Sequence, residues 1–166
     1  MLFIDSELVK DDVLKLLAVS TFILYVKFLG STMIQGRKGF QAGTRLPEDG
    51  SLPMAKGMPT HNAFDFHITI NDEGRRLALE NELRWRRIIQ NDLESMPMAL
   101  AVFLISTLAD ARADIQCATI TVYTIARCLH TISFVHQLAV ARMLSWIVGV
   151  LAIIVAGCNG MVRALL

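Results

Sequence analysis

Four long apolar stretches limit what this chain can fold into. They cover residues 12–34, 93–109, 113–136 and 142–165, and each approaches the ~20 residues that an α-helix needs to cross the hydrocarbon core of a bilayer. The 166-residue chain is 54% hydrophobic, with a mean hydropathy of +0.48, which is high for a soluble domain. A soluble bundle is the alternative, but its helices keep a polar face, and the last stretch has almost none. The pattern predicts an all-α membrane protein with four transmembrane helices.

The connections between these stretches predict the topology. Residues 35–71 hold five glycines and three prolines, which are typical of a loop. A helical pattern resumes near residue 72, so the second helix is expected to begin in water and to enter the lipid near residue 93. Pro97, inside this helix, is a candidate kink because it lacks an N–H group. The two remaining connections are very short, which favours antiparallel neighbours and one up-down four-helix domain over residues 1–166.

Charge and cysteine usage exclude several classes of protein. The net charge is +1, whereas a nucleic-acid-binding protein carries a basic excess. The three cysteines lie inside predicted spans without a CxxC motif, so we interpret them as apolar packing residues rather than metal ligands or disulfides. The acidic N-terminus lacks the basic segment of a removable signal peptide, so the first span is expected to stay in the mature protein. Basic residues concentrate around the first connection, which the positive-inside rule places in the cytoplasm with the third.

Polar residues near the cytoplasmic ends of three predicted helices follow helical spacing. Such residues are costly at membrane depth, and each is therefore a candidate for function. They could stabilise the bundle through ion pairs, for example Arg127 with Asp92 and Arg87 with Glu94. They could instead form a pocket for an anionic ligand, because guanidinium groups bind carboxylates and phosphates. The full set is Arg87, Asn91 and Glu94 in the second helix, Arg127, His130, Thr131 and Phe134 in the third, and Arg142, Ser145 and Trp146 in the fourth.

Four motifs, in order along the chain, resemble those of the MAPEG family, the membrane-associated proteins in eicosanoid and glutathione metabolism. They are RKGF followed by Pro47-Glu48-Asp49, then LRWRRIIQNDLES, ARCLHTISF and ARMLSWIVG. The Asn-Asp-Leu-Glu and Arg-x-x-His-Thr pieces are the most specific. The resemblance covers nearly the whole chain, and its closest branch is that of the microsomal glutathione transferases and prostaglandin E synthases.

This resemblance implies a homotrimer that binds glutathione as a co-substrate between neighbouring subunits, near the cytosolic face. The host membrane would be the endoplasmic reticulum or a bacterial inner membrane. Arg142 would be the catalytic residue, placed beside the sulfur so that the thiolate can attack a lipophilic electrophile or a lipid hydroperoxide. The residues implied to bind glutathione are Arg37, Arg87, Gln90, Asn91, Glu94, His130, Phe134 and Trp146.

The chain departs from the family pattern at several positions. Phe134 stands where the family has Tyr, Met143 stands where Ser follows the arginine in the prostaglandin synthase branch, and Ile34 replaces an arginine. The first loop is longer, and we interpret its His61 and His67 as exposed histidines rather than metal ligands.

Two rival functions are also compatible with these motifs. One is a glutathione-dependent isomerase or synthase that makes a single lipid mediator, and the missing serine disfavours its prostaglandin version. The other is a non-catalytic lipid-binding adaptor. An adaptor would be expected to lack the arginine beside the sulfur and the Asn/Glu pair of the family motif, but Arg142, Asn91 and Glu94 are all present in this sequence. We therefore favour a glutathione transferase, with peroxidase activity as an additional expectation.

Overall fold

The computed structural model describes residues 2–57 and 73–165, with side chains from residue 10 onwards. Its four helices are α1 (Leu2–Ala42), α2 (Glu73–Leu108), α3 (Ala113–Val135) and α4 (Ala139–Leu165), and two short 3₁₀ turns at Pro47–Ser51 and Pro53–Ala55 follow α1. Each of the four helices is long and apolar enough to cross a membrane. The predicted all-α, four-helix fold is therefore confirmed over the described residues. His61 and His67 lie outside them.

The helices differ in length relative to a bilayer. α3 and α4 contain 23 and 27 residues, or about 35 and 40 Å at a rise of about 1.5 Å per residue. α1 and α2 contain 41 and 36 residues, or about 60 and 54 Å. The hydrocarbon core is about 30 Å thick, so α3 and α4 exceed it only moderately, whereas α1 and α2 are nearly twice as long as the core is thick. The membrane boundaries along both helices stay a prediction.

The chain divides into two compact units. The larger unit consists of Met1–Lys27 and Asn91–Leu166, and the smaller unit consists of Phe28–Gln90. Both α1 and α2 contribute residues to each of them.

Side-chain contacts fix the direction of the helices in the larger unit. Lys10, near the start of α1, bonds Asp110, which follows α2, so these helices are antiparallel. Ser95 of α2 lies 2.9 Å from the Tyr123 hydroxyl of α3, and Gln116 at the start of α3 donates to the Phe103 carbonyl farther along α2. α2 and α3 therefore also run in opposite directions. The short turn after α3 returns the chain along α4, which completes the predicted up-down order.

The larger unit distributes polarity in the opposite way from a soluble bundle. Its interior contains charged and amide side chains, and Asp92, Arg127 and Gln116 are each no more than 1% exposed. Its outer faces are apolar on all four helices. Large exposed hydrophobic residues include Val19, Phe22, Ile105, Ile125, Leu151 and Ile154. Apolar faces of this extent require a nonaqueous environment, which the acyl chains of a bilayer provide.

Small residues on α4 allow it to approach α2 and α3 closely. Gly149 faces the Tyr123 ring, and Gly157 faces Val102 of α2. Gly160 packs directly on Ser106, whose hydroxyl donates to the Ala156 carbonyl at 3.0 Å. Close backbone approach and a hydrogen bond between helices are the interactions that stabilise helix pairs in lipid, where burial of apolar surface provides little driving force.

The smaller unit corrects the predicted end of the first helix. α1 continues to Ala42, so the prediction of a loop from residue 35 is wrong for residues 35–42. Gly36 and Gly39 act there as packing sites, because a Cβ on Gly36 would lie 2.7 Å from Arg45 Nη2. The Arg45 guanidinium folds back over the Phe40 ring at 5.1 Å, where a cation also favours the negative end of the helix dipole. Gly43, with φ of 66°, then ends the helix.

α2 runs through Pro97 without interruption. At its end, Asp110 adopts a left-handed conformation with φ of 56°. The hydrogen bond from Lys10, 2.6 Å away, holds the pKa of the Asp110 carboxyl below its usual value. This pair is therefore intact at neutral pH and is lost only as the pH falls through that lowered pKa. Asn159 of α4 also bonds both the N–H and the carbonyl of Arg112, which ties the α2–α3 connection to α4.

We predict that Gly160→Ala destabilises the larger unit. The new Cβ would lie 2.5 Å from Ser106 Oγ and 2.8 Å from its Cα, so the backbones of α2 and α4 must separate. Overpacking of this kind costs about 1–3 kcal/mol, which should appear as a lower unfolding midpoint in detergent.

The matched control is Gly30→Ala. Gly30 is also helical, but no atom lies within 4 Å of a Cβ built there. This substitution should be neutral or slightly stabilising, because alanine has the higher helix propensity. An equal loss of stability in both variants would contradict the close α2–α4 contact.

Candidate functional site: a buried carboxylate and a stacked arginine

One candidate site is formed by three residues that the sequence analysis singled out. The Arg142 guanidinium carbon lies 4.5 Å from the centroid of the Phe134 ring. The His130 ring contacts the same phenylalanine edge-on, with 5.2 Å between ring centroids. These residues meet because α3 and α4 are antiparallel and joined by a short turn. Phe134, standing at the position where a tyrosine was expected, supplies the aromatic face on which the arginine is held.

His130 is buried deeper than Arg142. Only 2% of His130 is exposed, and its Nδ1 atom makes no hydrogen bond within the described part of the chain. Arg142 is half-buried. The site therefore combines a half-buried cation on α4 with a buried imidazole on α3.

Asp92 forms a second cluster, which joins three helices. Lys27 of α1 places its Nζ atom 2.7 and 2.8 Å from the two carboxylate oxygens of Asp92. Arg127 of α3 donates from Nη2 to one of the same oxygens at 2.5 Å. The Lys27 ammonium also donates to Thr131 Oγ1 at 2.8 Å. The predicted Arg127–Asp92 pair is thus confirmed, and one carboxylate serves two cations.

The cluster also shows why Arg127 is not available to a ligand in this arrangement. Its side chain is 2% exposed and is engaged by Asp92. The Nε atom of Arg127 is buried and has no hydrogen-bond partner among the described residues. Since burying a charge is expensive unless it is paired, Asp92 is the group that makes both buried cations tolerable.

Arg142 differs from these two cations. Across residues 10–57 and 73–165, no carboxylate lies within salt-bridge distance of its guanidinium. Its positive charge is therefore offset by the electron-rich face of an aromatic ring rather than by an anion. An arginine in this state is suited to bind or stabilise an anionic group.

The predicted residues on α2 fall in both units. Asn91 and Glu94 belong to the larger unit and flank the buried Asp92 in sequence. Asn91 is half-buried and Glu94 is exposed. Arg87 and Gln90 belong to the smaller unit, and both are exposed.

Arg37, on α1, is likewise an exposed residue of the smaller unit. Within that unit, Gln35 donates to the buried Glu82 at 2.8 Å, and Arg86 bonds the same carboxylate at 2.7 Å. Glu82 therefore joins α1 to α2 in the smaller unit, as Asp92 does in the larger one.

Two further positions from the sequence analysis, Met143 and Trp146, lie near the start of α4. Trp146, one turn after Arg142, is 48% exposed, and Met143 is 54% exposed, so both are accessible from outside the bundle. The Ser145 hydroxyl donates to the Arg142 carbonyl at 3.0 Å. This hydroxyl therefore bonds its own helix and does not replace the serine that Met143 displaces.

Metal and disulfide chemistry receive no support from the described residues. They contain no group of three or more His, Cys, Asp or Glu side chains that could hold a metal ion. All three cysteines are free; Cys117 and Cys128 are half-buried, and Cys158 is exposed.

Lys27 is the functional candidate that sequence reasoning missed. It lies in the middle of an apolar stretch, where a lysine is rare and expected to have a partner. That signal was present in the sequence. The identity of the partner was not, because Asp92 lies 65 residues away along the chain.

The fold and site define a multi-pass helical membrane protein that buries a charged cluster near one end of its bundle. A family model describing the MAPEG family matches residues 16–159, which is most of the sequence. The chain belongs to the MAPEG family, whose members include glutathione transferases and lipid-mediator synthases. Comparisons with curated proteins and with solved structures each find no match to this chain.

We predict that Asp92→Asn strongly destabilises the protein. The amide keeps the shape of the carboxylate but removes the negative charge that Lys27 and Arg127 share. Breaking a buried ion pair by removing one partner costs about 3–5 kcal/mol. The measurement is unfolding in mixed detergent micelles, followed by far-ultraviolet circular dichroism.

Asp110→Asn is the matched control. It removes an exposed carboxylate that also bonds a lysine, and asparagine tolerates the left-handed backbone at this position. We expect little change in stability. A small effect at Asp92 comparable to that at Asp110 would show that the cluster does not hold the three helices together.

Proposed function

We propose that this protein is an integral membrane glutathione transferase that activates the glutathione thiol for attack on lipophilic electrophiles. The observation that carries the proposal is the Arg142 guanidinium, half-buried against Phe134 and without a carboxylate partner in the described part of the chain. The other two cations identified in the larger unit's interior, Lys27 and Arg127, are committed to Asp92. Family membership supports glutathione as the co-substrate, since MAPEG members use it.

The proposed binding residues match the chemical groups of glutathione, which has two carboxylates, an ammonium and a thiol. An arginine such as Arg87 suits a carboxylate by forked hydrogen bonding, and Glu94 suits the ammonium. Asn91 can bond the peptide backbone, since its amide both donates and accepts. The complete proposed set is Arg37, Arg87, Gln90, Asn91, Glu94, His130, Phe134 and Trp146 for binding, with Arg142 as the catalytic residue.

The proposed reaction begins with loss of the thiol proton to solvent. A free thiol has a pKa near 8.5, so only a few per cent is thiolate at neutral pH. A neighbouring guanidinium favours the anion and lowers that pKa. The thiolate then forms a carbon–sulfur bond with the electrophile, and the leaving group departs with the electrons of its own bond. Arg142 supplies the positive charge, and no residue of the chain changes its oxidation state.

The location of the start of α4 supports a lipid-soluble second substrate. Trp146 and Met143 are exposed beside Arg142, on a helix whose outer face is apolar. A substrate dissolved in the bilayer is concentrated there, so it can approach the sulfur from the lipid side. We further propose that the protein is a homotrimer with the site facing the cytoplasm, in line with the family resemblance and the positive-inside pattern.

The function is tested with purified protein in detergent. Glutathione and 1-chloro-2,4-dinitrobenzene are added, conjugate formation is followed, and the ultraviolet absorbance of the bound thiolate is recorded. We expect both a thiolate signal and conjugate. Glutathione binding without formation of a conjugate would favour a lipid-mediator isomerase over a transferase. Absence of glutathione binding altogether would overturn the proposal.

We predict that Arg142→Gln lowers kcat more than it weakens glutathione binding. Loss of the cation should raise the pKa of the bound thiol by about one unit, the scale set by a single nearby charge, and move the alkaline rise of kcat accordingly. The measurement is the pH dependence of kcat together with a glutathione titration.

Arg163→Gln is the control, because Arg163 is an exposed arginine in the last turn of the same helix. It should leave both kcat and glutathione binding unchanged. Equal losses of kcat and of binding in Arg142→Gln would show that this residue only positions the ligand.

A further inference from the structure

Lys27 occupies an unusual position for a residue with no proposed contact to glutathione. Its ammonium bonds both oxygens of Asp92 on α2, the Thr131 hydroxyl on α3, and, at 3.5 Å, the Arg127 carbonyl on α3. Its side chain is 12% exposed. A single group on α1 therefore connects to α2 and α3, two of the three helices that carry proposed glutathione-binding residues of the larger unit.

These contacts constrain the rotation of α2. Successive residues of an α-helix point about 100° apart, so a helix that turns about its axis redirects all of its side chains together. Holding both oxygens of Asp92 fixes the direction of its neighbours Asn91 and Glu94. A rotation of α2 about its axis would carry the tips of those side chains away from their present positions, and the contact of Lys27 with both oxygens opposes it.

The same argument applies to α3. Thr131 and the Arg127 carbonyl both accept from Lys27. His130 lies between them in sequence, and Phe134 follows one turn later on the helix. Lys27 therefore also sets the direction of the His130 imidazole.

Lys27 is not the only cation that neutralises Asp92. Arg127 already pairs with that carboxylate, so Asp92 keeps a cationic partner without Lys27. Buried ionic groups contribute little net stability compared with apolar residues of similar size, and their best-attested use is to fix the register of packed helices. A second cation on a carboxylate that is already paired therefore favours a positioning role for Lys27.

We propose that Lys27 is a positioning residue for glutathione binding, which acts through Asp92, Arg127 and Thr131. This inference rests on the proposed function. It assigns a role in the site to α1 of the larger unit, which supplies no residue to the proposed ligand contacts there. Lys27 sets the directions of Asn91, Glu94 and His130, whereas Arg142 on α4 sets the charge beside the sulfur.

The test is Lys27→Met, which keeps a similar chain length and removes the charge. The Arg127–Asp92 pair then remains as one cation with one anion, so the protein should fold. The concentration of glutathione that half-saturates the thiolate signal should rise about tenfold, the equivalent of one charge-assisted hydrogen bond. The kcat at saturating glutathione and its pH profile should stay unchanged, because Arg142 is intact.

A purely structural role for Lys27 would give a different result. A smaller folded fraction lowers the apparent kcat and leaves half-saturation by glutathione where it was. That outcome, or wild-type behaviour in both quantities, would overturn the inference. Failure of the wild-type protein itself to bind glutathione would instead overturn the proposed function on which the inference rests.

Two further variants complete the experiment. Lys15→Met is the matched control, because Lys15 is also on α1 but pairs with Asp11 and Asp12 of its own helix; it should change nothing. Thr131→Val removes one acceptor of Lys27 without altering any charge. Should Lys27→Met fail to fold, a weakened glutathione affinity in Thr131→Val supports the inference, and an unchanged affinity overturns it.

Discussion

The carboxylate of Asp92 is the interaction on which the rest of the larger unit depends. It is fully buried and receives hydrogen bonds from Lys27 and Arg127, so that α1, α2 and α3 meet at one point. An uncompensated charge at this depth would be prohibitively expensive, and both buried cations are tolerated because Asp92 is present. The positions of Asn91 and His130 depend on this contact, because Asn91 precedes Asp92 on α2 and His130 follows Arg127 on α3 by one turn.

The surroundings of the cluster explain how a charged interior can exist in an apolar chain. The outer faces of the helices are apolar and suited to contact lipid, whereas the polar side chains face inward. There Gln116, Ser106 and Tyr123 form hydrogen bonds with neighbouring helices. Glycines on α4 bring the backbones close enough for these bonds to form. Arg142 stands apart from this network, held on an aromatic ring. A cation held in this way keeps its capacity to stabilise a thiolate, whereas one paired with a carboxylate does not.

Part of the structure could be read from the sequence with simple rules. The four apolar stretches predicted four helices, and the short connections predicted their up-down order. The prediction was wrong for residues 35–42, where Gly36 and Gly39 suggested a loop. Glycine in a helix is unfavourable in isolation, but here it makes room for the Arg45 side chain, a contact that no local pattern reveals. The proposed ligand contacts of Arg37, Arg87, Gln90 and the other proposed residues remain predictions, because helix packing within one chain does not determine them.

The order of apolar and polar residues along the chain is enough to predict the environment of this protein and the chemical groups that it carries. An apolar stretch long enough to cross a bilayer predicts a helix, because backbone N–H and C=O groups in lipid must form their hydrogen bonds within the same segment. Helical spacing likewise put Arg127, His130 and Phe134 on one face. The packing of the helices determines that Lys27 and Arg127 pair with a carboxylate and that Arg142, within the described part of the chain, does not. That division depends on distances between helices, since Asp92 selects Lys27, 65 residues away, and Arg127, 35 residues away, and leaves Arg142 to the ring of Phe134.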